Sequence, residues 1–255
     1  MKSLVISAHP EPKSFNARLS STAQRLLRER GHEVRGTDLY ALDFDPRERG
    51  SHYHYRRDPD RFFVQDEQRF NHDGGSLPAD VARQLDDLLW ADLLVLQFPL
   101  WWFGVPAILK GWMDRVFVYG GMYSSRRRFD NGVCRGKRVL LSVTAGSSAE
   151  DCSPTGREGD TRLILWPILY SLHYVGFDVL EPVILYGIHG AHGGEDPRER
   201  DAHLAVQLSR FEQAMTTIDR LPTVPFNRDE DWDERGQLKP EAPSYSPFIR
   251  HAPPF

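Results

Sequence analysis

Three short stretches bring together residues whose types and spacing suit chemistry: "AHPEPKSFN" (8–16), "FPLWWFGVPAILKGW" (98–112) and "TAGSSAEDCSPTGREGD" (144–160). In the first, Ser14 and Asn16 stand at the start of a helical pattern, where free backbone N–H groups and the helix dipole favour phosphate. In the second, Pro99 and Leu100 lead into Trp101, Trp102 and Phe103, bulky aromatics placed where a strand breaks. Such residues suit a surface that lies against something flat. The third offers Thr144, Ala145, Gly146 and Ser147, small residues whose backbone donors stay accessible. A phosphate loop, an aromatic loop and a loop of backbone donors together describe a site for flavin.

Each piece alone has a plainer reading. Ser14 and Asn16 are ordinary helix caps in isolation, and the aromatics are also compatible with core or an interface. No GxGxxG follows the first apolar run and no Walker lysine motif occurs. His52 with His54, and His189 with His192, have spacings that can ligate a metal. They lack an accompanying cysteine or carboxylate cluster, so solvated histidines and no metal are expected. Cys152 lies beside Glu150 and Asp151, which should raise its thiol pKa and argues against a nucleophile.

These loops need strands to hold them. Five segments read as buried strands, 3–8, 32–39, 92–99, 138–146 and 179–188, several of them near-continuous apolar runs. Helical stripes alternate with them: Leu19, Ala23, Leu26 and Leu27 in one, Val81, Leu85, Leu88 and Leu89 in the next, with further patterns at 105–120, 160–176 and 195–218. This order predicts an α/β fold: a doubly wound, five-stranded parallel sheet with right-handed crossovers. In such sheets ligands sit at the carboxyl ends of the strands, where all three loops fall. Residues 43–77 form a long polar and aromatic insertion after the second strand. The division expected is one domain over 1–220 and an extended arm over 221–255, packed on the domain or on a dimer partner.

The 255 residues are 40% hydrophobic and 27% charged, which fits a folded domain. A net charge of −4 argues against nucleic acid and anionic membrane as partners. With only two cysteines, Cys134 and Cys152, no disulfide framework is indicated. The apolar start is too short for a signal peptide and is cut by Pro10 and Pro12, and no run reaches a membrane span. A cytoplasmic protein is expected.

The stretches 8–16, 38–46, 96–117, 144–148, 164–168 and 176–182 resemble the flavodoxin-like NAD(P)H:quinone reductases, the DT-diaphorase family with its bacterial relatives. The resemblance implies a homodimer with one non-covalent FAD per subunit, FMN being the lesser alternative. It implies ping-pong transfer of two electrons from NADPH or NADH to a quinone. His9, Ser14, Phe15 and Asn16 match positions around the FAD diphosphate and ribityl chain. Pro99, Leu100, Trp101, Trp102 and Phe103 match the segment at the ring edge, and Thr144, Ala145, Gly146 and Ser147 the loop at its pyrimidine side. Arg200 matches an arginine near the adenine end.

Several positions depart from the pattern. Cys152 and Glu158 stand where the family has a tyrosine and a histidine near the pyrimidine, and Trp101 replaces a glutamine. Of two tyrosines that the other subunit contributes to the pocket, Tyr123 remains and Ser125 replaces the second. Arg128, in "SSRRRFD" (124–130), falls at a methionine that lines the pocket opening. Tyr123 and Glu158 are thus the candidate catalytic residues. Two other functions stay open: a same-fold reductase for a nitro, azo or biosynthetic quinone-like acceptor, and a non-enzymatic flavoprotein that regulates a partner.

Overall fold

The computed structural model describes residues 1–190 and 196–251. The apolar runs form β1 (Lys2–Ser7), β3 (Leu93–Pro99) and β4 (Arg138–Thr144), with β2 (Glu33–Asp38) at one edge. All pairings in the sheet are parallel, in the order β2-β1-β3-β4-β5. The chain therefore reverses direction across the sheet between β1 and β3. Register sets Ser7 beside Gln97 and Pro99 beside Thr144, so the three loops of interest leave the same edge.

Strand alternation explains the two-sided core. Leu4, Ile6, Leu94, Leu96, Phe98, Leu141 and Val143 face α3 (Ala79–Trp90), α4 (Ala107–Val116) and α6 (Trp166–Tyr174). Val5, Leu93, Val95 and Leu140 face α1 (Phe15–Glu29) and α7 (Pro197–Thr216). A fully buried aliphatic side chain contributes roughly 1.5–3 kcal/mol, so these layers dominate the stability of the strand ends. Among the described residues no helix is long and apolar enough to cross a membrane.

Two strand expectations need correction. The segment read as a buried second strand is an exposed edge, because β2 pairs only with β1 and carries Glu33, Arg35 and Thr37. The fifth strand is split into β5 (Asp178–Val179) and β6 (Val183–Leu185), both paired to β4. Pro182 has no N–H for a ladder, and Glu181 donates instead to the Pro222 carbonyl at 2.8 Å. Val224 donates to Val179 at 2.8 Å, so the C-terminal segment lies along this edge of its own domain. The helical pattern at 160–176 is likewise two pieces, α5 (Thr161–Ile164) and α6, with Pro167 opening the second.

The insertion after β2 is ordered around buried charge and contains a helix that no apolar stripe announces, α2 (Val64–Asp73). Its inward residues are Glu67, Gln68 and Asn71. Glu67, 1% exposed, accepts from Arg56 Nε at 3.0 Å and from the Arg57 N–H. Arg115 of α4, equally buried, donates to Asp80 at 2.6 Å and to the Asp45 carbonyl at 2.8 Å. The approach is close: a Cβ on Gly111 would stand 2.2 Å from the Pro46 carbonyl oxygen.

Candidate functional site

The loop after β1 is drawn toward α1 by its own polar groups. The Glu11 N–H donates to His9 Nδ1 at 3.1 Å, and Ser14 Oγ accepts the Ala17 N–H at 3.1 Å as the helix N-cap. The N–H groups of Phe15 and Asn16 find no acceptor among the described residues. They form the helix-end donor pair that suits an anion. Asn16 works below them, 4% exposed, as a brace. Its Nδ2 donates to Thr144 Oγ1 at 3.0 Å, and its Oδ1 accepts from Gln97 Nε2 at 2.9 Å. One side chain thereby ties α1 to the ends of β3 and β4.

After β3, Leu100 donates to the Thr144 carbonyl at 2.8 Å, and the chain then folds into a tight turn. Trp101 and Gly104 exchange two backbone hydrogen bonds of 3.0 Å. Trp102 and Phe103 between them have φ of 50° and 58°. Two adjacent left-handed residues make this a primed hairpin turn, which glycine or asparagine would fill at little cost. Each bulky residue here stores strain of about 1–3 kcal/mol, a kind of cost that clusters at functional sites. The gain is display: Trp102 is 96% and Phe103 57% exposed at the sheet edge. Their N–H groups find no acceptor among the described residues.

After β4, Ala145 donates to the Leu185 carbonyl at 2.9 Å, but the N–H groups of Gly146 and Ser147 remain unpaired among the described residues. The chain then coils so tightly that a Cβ on Gly156 would meet the Asp151 and Glu150 carbonyl oxygens at 2.2 Å. Glu158 N–H closes this coil on the Asp151 carbonyl at 2.9 Å. Burial, opposed by a Thr161 hydrogen bond and helped by the Glu158 and Asp151 charges, pushes the Cys152 thiol up. It is no ready nucleophile.

Two cavities result, sharing Leu100 and Gly146. The first, about 460 Å³, is lined by His9, Ser14, Phe15, Asn16, Pro99, Trp101 and Thr144, closed by Ile188, His189 and Gly190. The second, about 330 Å³, is lined by Trp102, Phe103, Ala145, Ser147, Cys152 and Glu158 with Thr161 and Ile164. Neither lining includes a lysine or arginine among the described residues. Apolar walls, a few convergent donors and this size match small-molecule sites. The donor set also fits a flavin: N–H pairs at a phosphate end and at a ring rim, with aromatics between.

The expected residues fall into two groups. Those of the three loops come together around the cavities. Tyr123 and Arg200 line neither cavity. Tyr123 packs its ring against Tyr119 and Tyr174, with centroids 5.4 and 5.8 Å away, and its hydroxyl accepts from Gln65 Nε2 at 3.2 Å. Arg200 stands one turn before His203, which bonds the Tyr186 carbonyl at 2.9 Å. The insertion contributes to neither lining and docks on α4 instead.

Arg128 is exposed in a turn held by Ser124, with its guanidinium 5.9 Å from the Phe129 ring. His52 is not solvated: it accepts from Arg49 Nε at 3.0 Å and faces Asp45 at 3.3 Å. His192 lies outside the described residues, among which no cluster fit for a metal occurs. Ile188, Gly190, Thr161 and Ile164 were missed as lining residues. The first two were within reach, since they follow a strand that ends at the same edge.

The matches to known proteins agree with this geometry. A family model described as the flavodoxin-like fold covers residues 1–210. The chain is 40% identical over 213 residues to NAD(P)H dehydrogenase [quinone] 1 of Cavia porcellus, spanning 83% of this chain and 76% of that one. It is 41% identical over 187 residues to ribosyldihydronicotinamide dehydrogenase [quinone] of Homo sapiens, spanning 72% and 81%. A solved structure from Klebsiella pneumoniae, described as a candidate quinone reductase, superposes with a TM-score of 0.84 at 36% identity, over 94% of this chain and 95% of that one. With strand-end cavities of this make-up and relatives this similar, the chain belongs to the flavodoxin-like family, within its group of NAD(P)H quinone dehydrogenases.

Proposed function

We propose that this chain is an NAD(P)H-dependent quinone reductase that carries one FAD per subunit along the two joined cavities. One observation carries the reading: three loops from adjacent strand ends leave backbone N–H groups unpaired around two adjoining cavities that share Leu100 and Gly146. The Phe15 and Asn16 N–H groups would hold the diphosphate. Gly146 and Ser147 would donate to the pyrimidine rim, and the Pro99–Phe103 segment would wall the ring. A bound flavin supplies the two-electron relay, in a ping-pong cycle where NAD(P)H and one proton reduce a quinone to its hydroquinone. FAD is favoured over FMN by the resemblance, in which Arg200 matches an arginine near the adenine end.

Tyr123 supports a homodimer. It lines a groove of about 440 Å³ with Phe117, Met113, Tyr170 and Tyr174, a mostly apolar face apart from the cavities of its own chain. A second copy seated there would set Tyr123 toward the opposite site. We place the enzyme in the cytoplasm, which its two-cysteine composition supports.

The test is to release the cofactor from purified protein, identify it by mass, and follow NAD(P)H oxidation over an acceptor panel. The expected result is about one FAD per chain, with turnover on quinones and parallel double-reciprocal lines. Stoichiometric FMN overturns the FAD assignment. Turnover confined to nitro or azo compounds moves the acceptor. Bound flavin with no NAD(P)H oxidation on any acceptor favours a regulatory flavoprotein. A fully active monomer in sedimentation removes the dimer.

A further inference from the structure

Glu158 lines the second cavity beside Trp102, Phe103 and Cys152. Its carboxylate makes no ion pair or side-chain hydrogen bond among the described residues. The neighbouring charges are occupied. Asp151 accepts from Ser148 Oγ at 2.9 Å, Asp160 caps the Arg162 N–H at 2.9 Å, and the Arg162 guanidinium pairs with Glu181 at 3.2 Å. Arg157, adjacent in sequence, lines neither cavity. The cavity lining thus carries one unpaired carboxylate together with two exposed aromatic rings.

Both features favour the same visitor. The face of an indole or phenyl ring attracts cations through its quadrupole, and a carboxylate in a partly enclosed site adds to that field. A flat molecule bearing positive charge gains from stacking and from charge together, whereas an anionic one of the same shape loses on the second count. We propose that Glu158, with the exposed Trp102 and Phe103, gives the rim of this cavity, beside the flavin ring it would hold, a preference for quinonoid acceptors that carry a cationic group over anionic ones. The inference rests on the reading of the chain as a quinone reductase. In the step itself hydride derived from NAD(P)H and one solvent proton convert the quinone to hydroquinone, and the cationic substituent is left unchanged.

The experiment uses the flavin-loaded enzyme and three naphthoquinones with a common ring: one with a quaternary ammonium side chain, one neutral, one sulfonated. kcat/KM is measured for each in the parent, Glu158→Gln and Glu158→Lys. Comparing ratios between proteins cancels the acceptors' intrinsic potentials. The cationic-to-anionic ratio is expected to fall about five- to ten-fold in Glu158→Gln, chiefly through KM, and further in Glu158→Lys. Equilibrium quenching of tryptophan fluorescence by a non-reducible naphthalene ammonium and a naphthalene sulfonate should give the same order without turnover.

Reduction of all three quinones with a ratio unchanged in both variants overturns the inference and leaves the quinone reductase reading standing. A parent preference for the sulfonated acceptor that disappears in Arg128→Ala overturns it too, and assigns charge selection to the arginine turn. Failure to reduce any of the three removes the functional reading and the inference with it.

Discussion

The insertion at 43–77 and the three strand-end loops are both polar and rich in aromatics, yet they treat their hydrogen-bonding groups in opposite ways. The insertion consumes its own. Glu67 is surrounded by donors, Gln68 accepts the Tyr119 N–H at 3.0 Å and donates to the Asp114 carbonyl at 3.3 Å, and Arg115 reaches back to fix Asp45. The strand-end loops do the reverse, turning N–H groups and rings outward and accepting backbone strain at Trp102 and Phe103. Polarity alone therefore does not mark a site. Unspent donors held on rigid strands do.

The sharpest way to break this contrast is to attack the insertion. Glu67→Ala leaves Arg56 and two backbone donors without their carboxylate and should cost about 3 kcal/mol in urea denaturation. Turnover per folded molecule should stay close to the parent's. Burial alone would raise the Glu67 carboxyl, but the Arg57 N–H, the Arg56 guanidinium and the Asp58 N–H outweigh it and hold the pKa below the ordinary value. Its stabilisation is then present above the unfolded carboxyl pKa and lost as pH falls through the lower folded one, a dependence that Glu67→Ala should flatten.

Asn16→Ala attacks the brace under the site. It strands Gln97 Nε2 and Thr144 Oγ1 in the interior, at a cost of about 2 kcal/mol. Unlike the Glu67 change, it should also loosen the cofactor, seen as flavin lost on gel filtration. If flavin retention is unchanged, the brace serves stability alone.

Trp102→Gly should act in the opposite direction on stability. The ring is exposed, so little packing is lost, and glycine relieves the left-handed strain for a net gain of about 1 kcal/mol in thermal unfolding. kcat/KM for quinone should fall at the same time, the trade expected where strain serves function. A variant that is both less stable and equally active would show that the turn holds no strain that serves function.

Glu158→Gln should give the smallest signal. Removing a half-exposed charge from the cavity proposed to hold the ring should raise the flavin midpoint potential by about 20 mV, equivalent to about 1 kcal/mol for a two-electron couple. An unchanged potential, measured against a reference dye, would set the side chain apart from the ring.

Much of the sheet is legible in the sequence because β1, β3 and β4 are apolar on both faces, and Ser14 is a cap in pattern and in fact. The failures have physical reasons. The α2 helix buries Glu67, Gln68 and Asn71, so its inward stripe looks like surface. The break between β5 and β6 depends on Pro182 and on a pairing with residues some forty positions later. The turn at 102–103 is invisible to residue preference because neither residue favours positive φ. The loops of the site could be found from their position after apolar runs. Tyr123 could not be placed the same way, since its surroundings are other aromatics from α6 and the 117–119 segment.

In the proposed enzyme the unspent donors of the three loops hold the flavin, and the insertion only supports them. This division can be read by hydrogen–deuterium exchange of the flavin-loaded protein against flavin-stripped protein. Flavin should slow exchange at Phe15 and Asn16, at Trp102 and Phe103, and at Gly146 and Ser147, with the amides of 43–77 unchanged. Protection centred on the insertion, or none at the three strand-end loops, would contradict it.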